Sequence, residues 1–277
     1  MRGAGPRYER QAEFGSPVVA VAGVFRVELL ARASYEAAYT PVSPVIGFAF
    51  DRQTGTHAFA SSRKVAFQAK PNHLSFVPPD CDVYSQSSRG GEYLKISLER
   101  GLSSGSHKGR RFSNVIDAQV IPAAHRLRRE LIAGHGIDPL PCEHLVQMLE
   151  ERVACILNGE RSDSRESSWM TPQRLRRADE IIEARLDEKL TVNELADALG
   201  LSAGFFSRAF KAAVGRAPHE YIIDRRVARA RELLRARDLD LAAIAQAAGF
   251  ASHAHMTTVF RERLGITPSD IRRSIVQ

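Results

Sequence analysis

Glu194-Leu195-Ala196-Asp197-Ala198-Leu199-Gly200-Leu201-Ser202, running on as Ala203-Gly204-Phe205-Phe206-Ser207-Arg208-Ala209-Phe210-Lys211, returns further along the chain. The second copy reads Ala243-Ile244-Ala245-Gln246-Ala247-Ala248-Gly249-Phe250-Ala251-Ser252, then His253-Ala254-His255-Met256-Thr257-Thr258-Val259-Phe260-Arg261. Gly215 and Pro218 follow Phe210 in the register in which Gly265 and Pro268 follow Phe260, and the copies differ by one residue between the Gly and the Ser. Such self-similarity signals a duplicated supersecondary unit. Thr191 followed by Glu194 predicts a capping box that starts a short helix. Ala196 and Ala245 are small, as a position must be where two helices cross closely. Gly200 and Gly249 can take the left-handed conformation that ends a helix, and Ser202 and Ser252 can cap the next one. Phe206 with Phe210, and Met256 with Phe260, lie four apart and so share a buried face. Two helices joined by a tight Gly-containing turn make a helix-turn-helix, whose second helix suits the DNA major groove. One such hairpin would leave an ordinary helical domain equally open; two in register favour DNA.

Charge agrees locally. The 277-residue chain carries a formal net charge of +7, which by itself weighs little. Residues 202–237, however, hold nine basic and three acidic side chains, the local excess expected of a binding face.

At these residues the chain resembles the AraC/XylS family of bacterial transcription regulators. The resemblance covers roughly 172–275 and rests on the Ala-x-x-x-Gly-to-Ser turns, the Phe-Lys/Arg that ends each second helix, and the Gly-x-x-Pro after each; Gly249-Phe250 through Gly265-Ile266-Thr267-Pro268 is its most specific stretch. It implies a seven-helix domain with two recognition helices joined by a long helix at about 218–235. That helix would be ~27 Å long, which could set the recognition helices near one DNA turn, ~34 Å, apart. By position in the family motif, the residues facing bases are Gly204, Ser207 and Arg208 in the first unit and His253, Ala254, His255 and Thr258 in the second. Arg208 is the sharpest of these, because its fork can take guanine O6 and N7 together. Gly204 and Ala254 offer little chemistry. Lys211 and Arg261 are phosphate candidates, weighed against a solvated helix-end charge. His253 and His255 are two apart and point to different faces, with no third ligand near, so no metal is expected.

The front of the chain has a different texture. Residues 1 to about 14 are Gly-rich and polar, an arm. From 17 to 100, short runs such as 45–50, 65–67, 73–77 and 93–98 are bounded by Gly, Pro and Asp, and predict an antiparallel sandwich or small barrel. Residues 101–114 read as a loop, and 123–133 and 142–157 as helices. Residues 159–168 are polar and free of large apolar side chains, hence a linker. The expected architecture is α+β in two domains: 1–158 a cupin-like β-barrel with following helices, 159–171 a linker, 172–277 the all-α DNA-binding domain with two helix-turn-helix units. The barrel follows from the resemblance, in which Leu74–Asp80 and Tyr93–Ile96 match barrel strands. His57 and His73 stand alone, so no metal or other cofactor is expected; a barrel of this kind could hold one small-molecule effector.

On the 142–157 helix, Cys142, Leu145, Val146, Leu149, Val153, Ile156 and Leu157 form one stripe, extended by Met148 and Cys155, with Glu143, Gln147, Glu150 and Glu151 on the remaining face. The stripe is wide enough to leave an edge for a second copy, and the resemblance implies dimerisation through such helices. A homodimer with Met148 near the seam is expected. Three cysteines without metal-like spacing, no apolar run of ~20 residues and no signal-peptide pattern point to a cytoplasmic chain with no membrane partner. The other classes weighed are an enzyme and a protein-binding module. No nucleophile elbow, paired His/Cys signature or phosphate-cradling Gly loop supports catalysis, so no catalytic residue is assigned. Double-stranded DNA is the expected partner. As a transcription regulator, activator or repressor, the chain could also meet RNA polymerase.

Overall fold

A computed structural model describes residues 18–22, 25–99, 101–102, 109–133, 139–159, 167–235 and 239–274, and divides the chain into two compact units, Met1–Ser162 and Asp163–Gln277. The arm at 1–14, the loop residues 103–108 and the greater part of the linker, 160–166, lie outside the described residues.

Among the described residues the first unit has ten strands: β1 (Val18–Ala22), β2 (Phe25–Leu30), β3 (Tyr35–Tyr39), β4 (Val45–Ala49), β5 (Gln53–Phe59), β6 (Val65–Ala69), β7 (His73–Val77), β8 (Val83–Ser87), β9 (Tyr93–Leu98) and β10 (Phe112–Val115). They pair antiparallel in two sheets, β1-β2-β9-β4-β7-β10 and β3-β8-β5-β6. The expected cupin-like barrel is therefore corrected to two open sheets. The hydrogen-bond ladder stops at β1 and β10 on one sheet and at β3 and β6 on the other, so the strands do not close on themselves. β10 also corrects the loop read at 101–114. It is a four-residue edge strand, irregular in register against β7 and containing Asn114 at φ 62°, too short and too polar to show an alternating pattern.

Side chains alternate across a strand, and in the larger sheet this sorts two environments. Val27, Leu29, Ile46, Phe48, Leu74, Leu94 and Ile96 face one way into a core shared with α1 (Val120–Ala133) and α2 (Pro139–Leu157). Both helices begin three residues earlier than their apolar periodicity suggests; Pro139 sits at the start of α2, where its missing N–H costs nothing. On α2, Val146 and Val153 are fully buried and Leu149 nearly so, while Met148 remains 39% exposed. Glu150, assigned to the solvent face, is in fact buried. A buried ion pair joins Arg128 of α1 to Glu92 at the foot of β9, with the guanidinium 4.9 Å from the Phe50 ring centre. The opposite face of the sheet carries Glu28, Gly47, Ser75 and Lys95, and between it and the smaller sheet lies a cavity of about 480 Å³.

The second unit is helical: a 3-10 turn at Ser167–Trp169, then α3 (Pro172–Ala184), α4 (Val192–Asp197), α5 (Ala203–Val214), α6 (Pro218–Arg235), α7 (Leu241–Ala247), α8 (His253–Leu264) and α9 (Pro268–Ser274). Its helix ends follow the local chemistry. Thr191 and Glu194 form the full capping box of α4. Ser202 and Ser252 accept from the backbone N–H of Phe205 and His255 to cap α5 and α8. Gly215 and Gly265 end those helices in the left-handed conformation, at φ 76° and 75°. α6 serves two small cores. Tyr221 and Ile222 in its first half join Ala196, Phe206 and Phe210, while Val227, Ala230 and Leu234 are buried in its second half, which adjoins α7 and α8.

Candidate nucleic-acid interface

Each repeated unit buries one face of its second helix and leaves the other bare. On α5, Phe206, Ala209, Phe210 and Val214 are wholly inaccessible, whereas Gly204, Arg208 and Lys211 are exposed and Ser207 half-buried. Positions 204, 208 and 211 are spaced four and three apart, so they lie in one row. On α8, Met256, Phe260 and Leu264 are wholly inaccessible, whereas His253, Ala254, His255, Thr258 and Arg261 are exposed. Here 254, 258 and 261 repeat the same row. All nine residues singled out from the sequence thus fall on or beside two outward helix faces backed by aromatic anchors.

The rows differ in chemistry. A side chain at Gly204 would find only the Arg208 guanidinium in range, at 3.8 Å; the bare glycine lets that group lie back over the start of α5. Thr258 donates its hydroxyl hydrogen to the Ala254 carbonyl, 3.2 Å away, inside its own helix. Its methyl and the oxygen lone pairs are what remain for a ligand. The His255 ring stands edge-on to Phe250 at 5.6 Å, which fixes its direction. Among the described residues no group of three or more His, Cys, Asp or Glu could hold a metal ion.

The basic excess over 202–237 is partly structural. Arg225 is buried against Glu183 of α3. Arg216 reaches Glu220 at 3.6 Å and Asp224 at 3.7 Å. Arg226 donates to the carbonyls of Leu186 at 2.9 Å and Glu188 at 2.7 Å, and burial lowers its pKa. These three arginines hold α6 to its surroundings, which composition could not distinguish from a binding face. Sequence reading also missed Trp169. It is 53% exposed and meets Phe205 of α5 edge-on at 5.5 Å, beside the first outward face. It lies outside the repeat, so no periodic signal marks it.

A family model described as a helix-turn-helix domain matches residues 195–274. The "Probable transcriptional regulator LumQ" of Photobacterium leiognathi is 33% identical over 91 residues, 33% of this chain and 37% of that protein. The HTH-type transcriptional regulator ArgR of Pseudomonas aeruginosa is 32% identical over 92 residues, 33% of this chain and 28% of that protein. The chain thus spans roughly a third of the length of these curated relatives. A solved AraC-type DNA-binding domain from Chromobacterium violaceum is 31% identical, covering 38% of this chain and 94% of that one, with a TM-score of 0.36. Among the described residues no helix is long and apolar enough to cross a membrane.

Proposed function

We propose that this chain is an AraC/XylS-type, sequence-specific, DNA-binding regulator of transcription in the cytoplasm, a reading supported by the helix-turn-helix family match over residues 195–274 and by the similarity to transcriptional regulators over about a third of the chain. The observation that carries the reading is the pair of outward rows, 204/208/211 on α5 and 254/258/261 on α8, each on a helix capped by Ser and anchored by buried Phe. Double-stranded DNA offers two successive major-groove segments to two such helices. Arg208, Ser207 and Gly204 read bases in one segment, and His253, Ala254, His255 and Thr258 in the other. Lys211 and Arg261 sit on phosphates and set register.

Residues 1–158 form the sensory and dimerising domain, 159–171 the connection and 172–277 the DNA-binding domain. The cavity between the two sheets supports a small-molecule effector in the first domain. Met148, 39% exposed beside the buried apolar stripe of α2, supports a homodimer seam there. Contact with RNA polymerase would follow from activation. Selection of bound duplexes from a random pool tests the reading: enrichment of one paired motif is expected, and a pool that stays random after selection refutes it.

A further inference from the structure

The cavity in the first unit has a floor built around a missing side chain. Glu28, Lys95, Gly47 and Ser75 stand in one cross-strand row on β2, β9, β4 and β7. A Cβ on Gly47 would overlap the Tyr93 hydroxyl. Without it, the Tyr93 ring reclines across β4, and its hydroxyl lies 2.9 Å from Ser75 Oγ. Ser75 donates to the Gly47 carbonyl at 3.2 Å, so Tyr93 donates to Ser75. The opposing sheet supplies a second flat surface. His57 of β5 stacks on Phe67 of β6, with ring centres 5.0 Å apart and planes 10° apart.

Charge in the cavity is already answered. Lys95 Nζ lies 3.1 Å from Glu28 Oε2, both side chains 12% exposed. The Arg111 guanidinium lies 4.4 Å from the Phe59 ring centre and is open to solvent at the rim. Burial first, and Arg111 second, lowers the His57 pKa. Burial pushes the Tyr93 phenol up to about 12 and raises that of Tyr35. The charged groups along the cavity are two carboxylates, Glu28 and the Glu36 that accepts from Tyr84, and two cations, Lys95 and Arg111. The lining thus carries no net charge, and its buried charge is the Glu28–Lys95 pair. A further charge buried with a ligand would be costly to desolvate. One polar group is left over. Gln53, on the cavity wall, is 6% exposed, and its carboxamide nitrogen has no hydrogen-bond partner among the described residues. A buried amide in that state is costly, and a ligand group could satisfy it.

We propose that this cavity binds a flat, uncharged aromatic molecule that lies between the Tyr93 and His57–Phe67 surfaces and hydrogen-bonds through its rim to the Gln53 carboxamide. The inference rests on the reading of the first unit as a sensor and names the class of molecule sensed. Its size, about 480 Å³, falls in the range of small-molecule sites.

The test uses full-length protein and calorimetric titration with 2-naphthol, dodecanoate and glucose, alongside Gln53→Leu and His57→Ala. Saturable binding of 2-naphthol is expected, weakened about three- to tenfold by Gln53→Leu and also by His57→Ala. Gln53→Leu should keep or raise the melting temperature, since it removes an unpartnered buried amide. Tighter binding of dodecanoate or glucose than of 2-naphthol overturns the proposal, as does the absence of 2-naphthol binding to folded protein. So does binding that is indifferent to both substitutions. DNA affinity measured with and without 2-naphthol separates the two readings. Binding that leaves DNA affinity unchanged keeps the ligand class and refutes the sensory role. DNA affinity that responds only to dodecanoate or glucose keeps the sensory role and refutes the class.

Discussion

Gly249, in the turn of the second helix-turn-helix, lies so close to the carbonyl of Leu186 that a Cβ at that position would overlap its oxygen. The same carbonyl accepts from Arg226 of α6, whose other arm reaches Glu188. The second turn is thus seated on the segment between α3 and α4, part of the first half of the domain. Asp224 of α6 adds a link from the other side, 3.6 Å from Arg263 of α8. The second helix-turn-helix is thus tied to α6 and to the segment between α3 and α4.

Two equivalent glycines should therefore respond unequally. Gly200 has φ 66° and open space where a side chain would go, whereas Gly249 has φ 80° and the Leu186 carbonyl in the way. Gly200→Ala should cost about 1–2 kcal/mol, the left-handed penalty alone. Gly249→Ala should cost that plus about 1–3 kcal/mol of overpacking. Urea unfolding of the two variants measures the difference, and equal losses would remove Leu186 from the account.

Arg208 and Lys211 share a row, and the proposed reading gives them different purposes. Arg208→Ala should cost ~1–3 kcal/mol on the best site and relax one base position. Lys211→Ala should weaken all sequences alike and flatten the dependence on salt. Binding to selected and random duplexes across a salt series checks both; equal losses on the two duplexes for Arg208→Ala would deny it a base-reading role.

The capping box gives the domain an acid-sensitive contact. Hydrogen bonds from the Thr191 hydroxyl, then Arg185, then the Thr191 backbone hold the Glu194 carboxyl at about 2, against an ordinary 4.5. A lowered carboxyl pKa contributes stability that is present above about 4.5 and is lost as pH falls toward 2. The stability gap between wild type and Glu194→Gln should accordingly be widest at neutral pH and close over that interval. Denaturation at several pH values measures it, and a gap independent of pH contradicts the assignment.

Much of the second unit was legible because its signals are local. Ser202, Ser252, the Thr191–Glu194 box and Gly200 each act within a few residues, and every one does what its chemistry predicts. The seat of Gly249 on Leu186 was not legible, because it joins segments far apart in sequence. In the first unit, β2 alternates between buried and more accessible residues as half-buried strands should. β3, β5 and β8 border a cavity lined by Tyr35, Gln53, His57 and Ser85, so neither face carries a clean apolar pattern. Arg225 shows the converse limit: a basic residue in a basic run, yet buried against Glu183.

Self-association should run through α2. Met148 is 39% exposed between buried Leu145 and Leu149, and a charge there would have to be desolvated in a seam. Sedimentation at micromolar concentration should show a dimer for the wild type and a monomer for Met148→Glu. A wild type that stays monomeric with and without DNA rules the dimer out, and a dimer indifferent to the substitution moves the seam elsewhere.

In the proposed reading, one chain reads two major-groove segments on one face of the duplex, at a spacing α6 fixes. The most direct measurement compares the full-length protein's affinity for its selected site with that for the same site carrying about five extra base pairs between the two halves, a half-turn of DNA. The insertion should reduce affinity to that of a single half-site, because the second helix then faces the wrong side. Unchanged affinity after the insertion would contradict the account.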